Sequence, residues 1–260
     1  MGVDLTKFEC GDAFVGDYSA ALAALQYRLA QLQIAQVTHQ KRALIIFEGW
    51  VGAGKTSVLK RLAASWDPCR VSTRSVPTAI ENRDDRHWLA PFWSALPPAG
   101  NTTVFFNSWY RRLVEDRLAG LTDDKRWTRA CDEINEFEAQ QRDHGTLVVK
   151  LFFHVSADVH EARLEALASD PWRRHLYTAE ELGGAARRER TMPILHDLLA
   201  QTDTRWAPWQ IIDSNDKYAA RIATLEALVH VMTKALPAEP PVESAEIVDF
   251  PAVRSSQRSA

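Results

Sequence analysis

The stretch Ala43-Leu44-Ile45-Ile46-Phe47-Glu48-Gly49-Trp50-Val51-Gly52-Ala53-Gly54-Lys55-Thr56-Ser57-Val58-Leu59 decides how the rest of the chain is read. Residues 43–47 are apolar without alternation, the pattern of a strand buried on both faces in a parallel sheet. From Ser57, the spacing of Val58, Leu59 and Leu62 predicts a helix. Between them, Gly49, Gly52 and Gly54 let the backbone turn tightly, so that N–H groups point inward beside the positive end of the helix. That is an anion cradle, and it matches the phosphate-binding loop pattern. Gly49, Gly52, Ala53, Gly54, Lys55, Thr56 and Ser57 are therefore the candidate phosphate-binding residues. Lys55 would bring a point charge to a phosphoryl group, and the Thr56 hydroxyl would be the ligand for the Mg2+ that travels with such phosphates.

Outward from the loop, Leu22, Leu25, Leu29, Leu32 and Ile34 recur at helical spacing and predict an amphipathic leading helix from Tyr18 to about residue 40. Thr102–Phe106, Thr146–Val155 and Trp209–Ile212 read as further strands separated by helical stretches, which implies a parallel sheet. Residues 157–203, rich in Arg, Glu, Ala and Leu, predict a helical insertion between the last two strands, where a lid would sit. The fold expected is α/β, a P-loop NTPase-like parallel sheet flanked by helices with a helical lid insertion. Residues 1–17 form an N-terminal extension, 18–236 the domain, and the Pro- and Ser-rich stretch 237–260 a disordered tail.

Composition narrows the function classes. Apolar residues make up 46% and charged residues 25%, as in globular proteins, and 31 basic against 34 acidic residues give a net charge of -3. No global positive field for nucleic acid exists, so any polyanion must be held by a local basic site. Cys10, Cys69 and Cys131 are widely spaced and lack a CxxC pair, which suggests neither a disulfide framework nor a zinc site. With no membrane-spanning run and no secretory leader, the reading is cytoplasmic. The leading helix could pack on its own domain or on a second copy as a homo-oligomer. Trp88, Trp93, Trp109, Trp206 and Trp209 are expected to pack around the sheet, and no histidine is assigned to a metal.

P-loop enzymes normally place an acid at the end of a neighbouring strand. The strand ending at Phe105 is followed by Phe106 and Asn107, so a carboxylate from elsewhere, such as Glu48, Asp84 or Asp116, would have to reach Lys55 and Thr56.

Several segments in order resemble the polyphosphate kinase 2 family: Phe47-Glu48-Gly49 into Ala53-Gly54-Lys55, Val76-Pro77-Thr78, Ser108-Trp109-Tyr110 with Arg112, Glu136-Phe137-Glu138, Val149-Lys150-Leu151-Phe152, Asp170-Pro171 with Arg174, Ala207-Pro208-Trp209, and Asn215-Asp216-Lys217. The likeness covers about residues 18–235. It implies a phosphoryl group moving between inorganic polyphosphate and a nucleoside mono- or diphosphate, with Lys55 and Arg112 catalytic. It also makes the insertion a polyphosphate-facing lid that uses Arg173 and Arg174, whose guanidinium forks suit phosphate oxygens. Arg187 and Arg188 are each read as solvated helix-face charges.

The family's acid in the loop falls here at Val51, its acid followed by arginine before the SWY segment at Phe106 and Asn107, and its lysine before Pro-Thr at Val76. The chain is most similar to the acid-depleted amino-terminal domain of two-domain polyphosphate:AMP phosphotransferases. A catalytically silent polyphosphate- or nucleotide-binding protein is thus a second reading, and an ATP-dependent small-molecule kinase a third.

Overall fold

The structure, a computed structural model, describes residues 3–75, 87–237 and 239. Val76-Pro77-Thr78, Asp84 and most of the expected tail lie outside these residues. Helix α1 (Tyr18–Thr38) precedes β1 (Arg42–Gly49) and α2 (Lys55–Ala63). Then come β2 (Val71–Arg74), α3 (Ala90–Trp93), β3 (Thr102–Phe105), α4 (Trp109–Leu118), α5 (Asp124–Asp143) and β4 (Thr146–His154). Helices α6 (Ala157–Ser169) and α7 (Gly184–Thr202), joined through a 3-10 turn at Arg173–Leu176, form the insertion before β5 (Trp209–Asp213) and α8 (Lys217–Ala235).

The five strands are parallel in the order β2-β3-β1-β4-β5, with Ala43 opposite Thr102 on one side of β1 and Arg42 opposite Thr146 on the other. The chain feeds β2 and β3 to one side of β1, then β4 and β5 to the other. In open α/β sheets such a reversal leaves a crevice at the carboxyl ends of the strands, and the glycine loop opens there. Burial explains the apolar runs: residues 43–48 of β1 and nearly all of β4 are inaccessible, covered by α1, α2 and α8 on one face and α4, α5 and α7 on the other.

The sheet, its flanking helices and the helical insertion match the sequence reading, while three details differ. Strand β2 escaped notice because Val71-Ser72-Thr73-Arg74 is a half-exposed edge with no apolar run. Ile34 is 67% exposed; it lies about 200° around the helix from Leu32. The inner face is completed by Gln33 and Gln36, which bond the Asp67 backbone and the Thr102 hydroxyl. Among the tryptophans, Trp109 and Trp209 are core, but Trp93 and Trp206 are 47% and 38% exposed.

A buried network joins the sheet to the lid. Lys150 on β4 donates to Glu138 on α5 at 3.0 Å and to the Thr202 carbonyl at the end of α7 at 2.6 Å. Tyr110 on α4 donates to the same Glu138 carboxylate at 2.5 Å, and Trp209 packs edge-on against Tyr110. Four of the segments that carried the family likeness therefore meet here.

Candidate functional site

The glycine loop is shaped by its neighbours. Gly49 has φ +125°, and a Cβ there would lie 2.2 Å from the Phe153 carbonyl oxygen, so only glycine lets β1 turn away beside β4. Gly54, at φ +92° with open space around it, caps α2 in a left-handed conformation. Helix α2 begins at Lys55, and its free N–H groups face the loop.

Lys55 is buried and folds back on the loop, its ammonium donating to the carbonyls of Gly49 at 2.6 Å and Trp50 at 2.8 Å. Burial, reinforced by the Arg111 guanidinium, pulls its pKa down to about 7, against the attraction of Glu48 and Glu181. Thr56 is exposed. The Ser57 hydroxyl accepts two N–H groups of Arg221 from α8, at 2.9 and 2.6 Å.

Two cavities open on the loop and share Arg173 as a wall. One, of about 180 Å³, is lined by Lys55, Thr56, Phe106, Arg111, Arg173 and Glu181. The other, of about 410 Å³, lies beyond Gly54 and Ser57 and presents Arg163, Arg173, Lys217 and Arg221, with no carboxylate among the described residues of its lining. A smaller space of about 40 Å³ beneath the lid is lined by Trp50, Val51, Tyr110 and the leucines of α7.

The positions singled out in the sequence divide accordingly. Gly52, Ala53, Gly54, Thr56, Ser57, Lys55 and Arg173 meet at the cavities, whereas Arg174, next in the chain, lines neither. Arg112 points to Asp116 on its own helix at 3.5 Å, and Arg111 takes the place at the loop. Helical phase gives this exchange, since neighbouring residues on α4 point about 100° apart. Arg187 and Arg188 are not solvated: Arg187 pairs with Glu115 and Glu180, while Arg188 is buried against Glu9 and the Val155 carbonyl. Sequence reasoning missed Arg163 and Arg221 and took Lys217 only as part of a family segment; tertiary packing brings all three to the cavity beside the loop.

Where a strand-end acid is expected, the Phe106 ring lies 5.9 Å from the Lys55 ammonium, and Asn107 bonds Ser75. Glu48 accepts both the backbone N–H and the hydroxyl of Ser108, at 2.8 and 2.7 Å. Glu181 of the lid pairs with Arg111 at 3.1 Å. Among the described residues no cluster of three potential metal ligands forms. Magnesium commonly keeps water and phosphate oxygens as most of its ligands. The exposed Thr56 hydroxyl fits an ion carried in on its phosphates rather than one held by a protein cage.

A glycine loop at the carboxyl edge of a parallel sheet, roofed by a helical insertion bearing arginine, defines a P-loop kinase-like α/β fold. The family model for Polyphosphate kinase 2 matches residues 15–240, and the chain belongs to that family. It is 33% identical over 227 residues to a polyphosphate:AMP phosphotransferase of Acinetobacter johnsonii, which covers 86% of this chain and 46% of that protein. Against ADP-polyphosphate phosphotransferase 2 of Rhizobium meliloti the identity is 30% over 213 residues, covering 82% and 70%. The structure of polyphosphate kinase 2 from Arthrobacter aurescens TC1 superposes with a TM-score of 0.83 at 27% identity, covering 95% of this chain and 88% of that one. The chain spans less than half the length of the first of these relatives.

Proposed function

We propose that this protein transfers a phosphoryl group between inorganic polyphosphate and a nucleoside mono- or diphosphate in the cytoplasm. The observation that carries the reading is the pair of adjoining basic cavities on the phosphate loop, which share Arg173 and the loop residues 52–54 and Ser57. Two polyanions could then present their ends to one set of loop N–H groups. An oxygen of the acceptor phosphate attacks the terminal phosphorus of the donor chain in line, the bridging P–O bond breaks, and the shortened chain leaves with the electron pair. No covalent enzyme intermediate is needed. Lys55 leaves its carbonyl partners for the moving phosphoryl group, Arg111 and Arg173 balance charge on the flanking phosphates, and the loop and lid exclude water. Magnesium, held by Thr56 and the substrates, supplies further charge neutralisation when bound. Exposed Tyr27 and Ile34 on α1 support a homo-oligomer built on that helix.

The test supplies polyphosphate, magnesium and each nucleoside mono- or diphosphate in turn. Product above a Lys55→Ala control is expected, and none would overturn the reading. Phe106 beside Lys55 favours a second reading, a silent binding protein. That reading requires calorimetric binding of polyphosphate or nucleotide, lost in Lys55→Ala, without turnover. Phosphorylation of a small molecule by ATP alone would instead indicate the ordinary kinase.

A further inference from the structure

Residues 3–14 precede the part of the chain that matches the family, yet they are built into the molecule. Leu5 is wholly buried in the core, in a 3-10 turn capped by Asp4, and the Gly11 N–H donates to Asp213 at the end of β5 at 2.9 Å. Pinned on both sides, Glu9 points inward. Its Oε1 lies 2.8 Å from His154 Nε2 and 3.3 Å from Arg188 Nη2.

His154 in turn faces the phosphate loop, with Nδ1 3.0 Å from the indole Nε1 of Trp50. An indole N–H only donates, so Nδ1 must be the unprotonated nitrogen and Nε2 carries the proton given to Glu9. The Arg188 guanidinium closes the circuit 4.5 Å over the Trp50 ring. Glu9, His154, Trp50 and Arg188 thus form a ring that spans the N-terminal segment, the end of β4, the phosphate loop and the lid. The Trp50 carbonyl is itself one of the two that hold Lys55.

We propose that Glu9 is a positioning residue for the phosphate loop: by fixing the His154 tautomer it holds the Trp50 indole, and through it the resting place of Lys55 and the seat of the lid. The proposal rests on the phosphate-binding reading of the loop. Its structural half is read independently, by nitrogen NMR of the histidine ring.

Glu9→Gln keeps an acceptor for His154, and Glu9→Ala removes it. In the intact protein and Glu9→Gln, His154 is expected as the Nε2–H tautomer with a displaced Trp50 indole N–H resonance, and both signatures should vanish in Glu9→Ala. Tripolyphosphate affinity, measured by calorimetry, should fall about fivefold in Glu9→Ala, the value of one lost hydrogen bond, and within about twofold in Glu9→Gln. Unchanged His154 and Trp50 resonances in Glu9→Ala, or equal affinity losses in the two variants, would overturn the proposal whatever the melting temperatures. If the intact protein binds no tripolyphosphate, the phosphate reading fails, while the NMR signatures still decide whether Glu9 sets the tautomer.

Discussion

Lys150 and Glu138 face each other at 3.0 Å with neither side chain reaching solvent. Two charges removed from water are tolerable only together, and here the remaining valences go to Tyr110 and the Thr202 carbonyl. Glu138→Ala should therefore cost about 3–5 kcal/mol, because it strands the ammonium. The double variant Glu138→Leu with Lys150→Met should be less destabilised than Glu138→Ala. Urea denaturation of the set checks both statements.

The depressed pKa of Lys55 gives a pH signature with a definite sign. An unfolded chain keeps the lysine proton up to about its ordinary 10.5, whereas the folded one releases it near 7. Between those values the unfolded state binds more protons, so this group makes stability rise with pH across that window. Lys55→Met should flatten the rise in melts taken from pH 7 to 10. Phosphate restores the charge, so binding at pH 8 should take up protons. Calorimetry in buffers of different ionisation enthalpy measures that uptake.

Loop glycines separate into two kinds. Gly49→Ala collides with the Phe153 backbone and should abolish the native loop, seen as loss of soluble protein or of phosphate binding. Gly54→Ala meets open space but keeps a positive φ, so about 1–2 kcal/mol of stability should be lost with the fold intact. Thermal unfolding distinguishes the two.

Neighbouring arginines on α4 should differ in kind. Arg111→Gln is expected to weaken polyphosphate or nucleotide binding about tenfold or more, the value of a charge-assisted bond, with little change in melting temperature. Arg112→Gln should leave affinity within about twofold, since its partner Asp116 lies outside the loop cavities. Titration calorimetry alongside melts resolves them.

Most of the architecture was legible because it is written in pattern: the largely apolar runs at 43–47 and 146–155, alternating with helical stretches, are the mark of a parallel sheet, and Gly49, Gly52 and Gly54 all take positive φ. Of the candidate site, the sequence reading placed only the local part beside the cavities. Lys55, Thr56 and Ser57 are set by the loop itself, but the choice of Arg111 over Arg112 depends on the rotational phase of α4 against the sheet, which no spacing encodes. Arg163 and Arg221 come from helices more than 100 residues away and enter the loop through its backbone and Ser57. Arg187 and Arg188 looked like surface charge because nothing in their neighbourhood announces Glu115 or Glu9 as partners.

Arg111 carries one more consequence. Its guanidinium is shared by Glu115 of its own helix and Glu181 of the lid. Glu181 is thereby a built-in competitor for the same cation that an incoming phosphate would seek. On the proposed function, substrate would displace it, making admission to the loop and unfastening of that corner of the lid a single exchange of anions. The observed affinity will be the intrinsic one reduced by the stability of that pair, and raising the salt concentration, which weakens both partners of the exchange, should change lid opening more than it changes the fold.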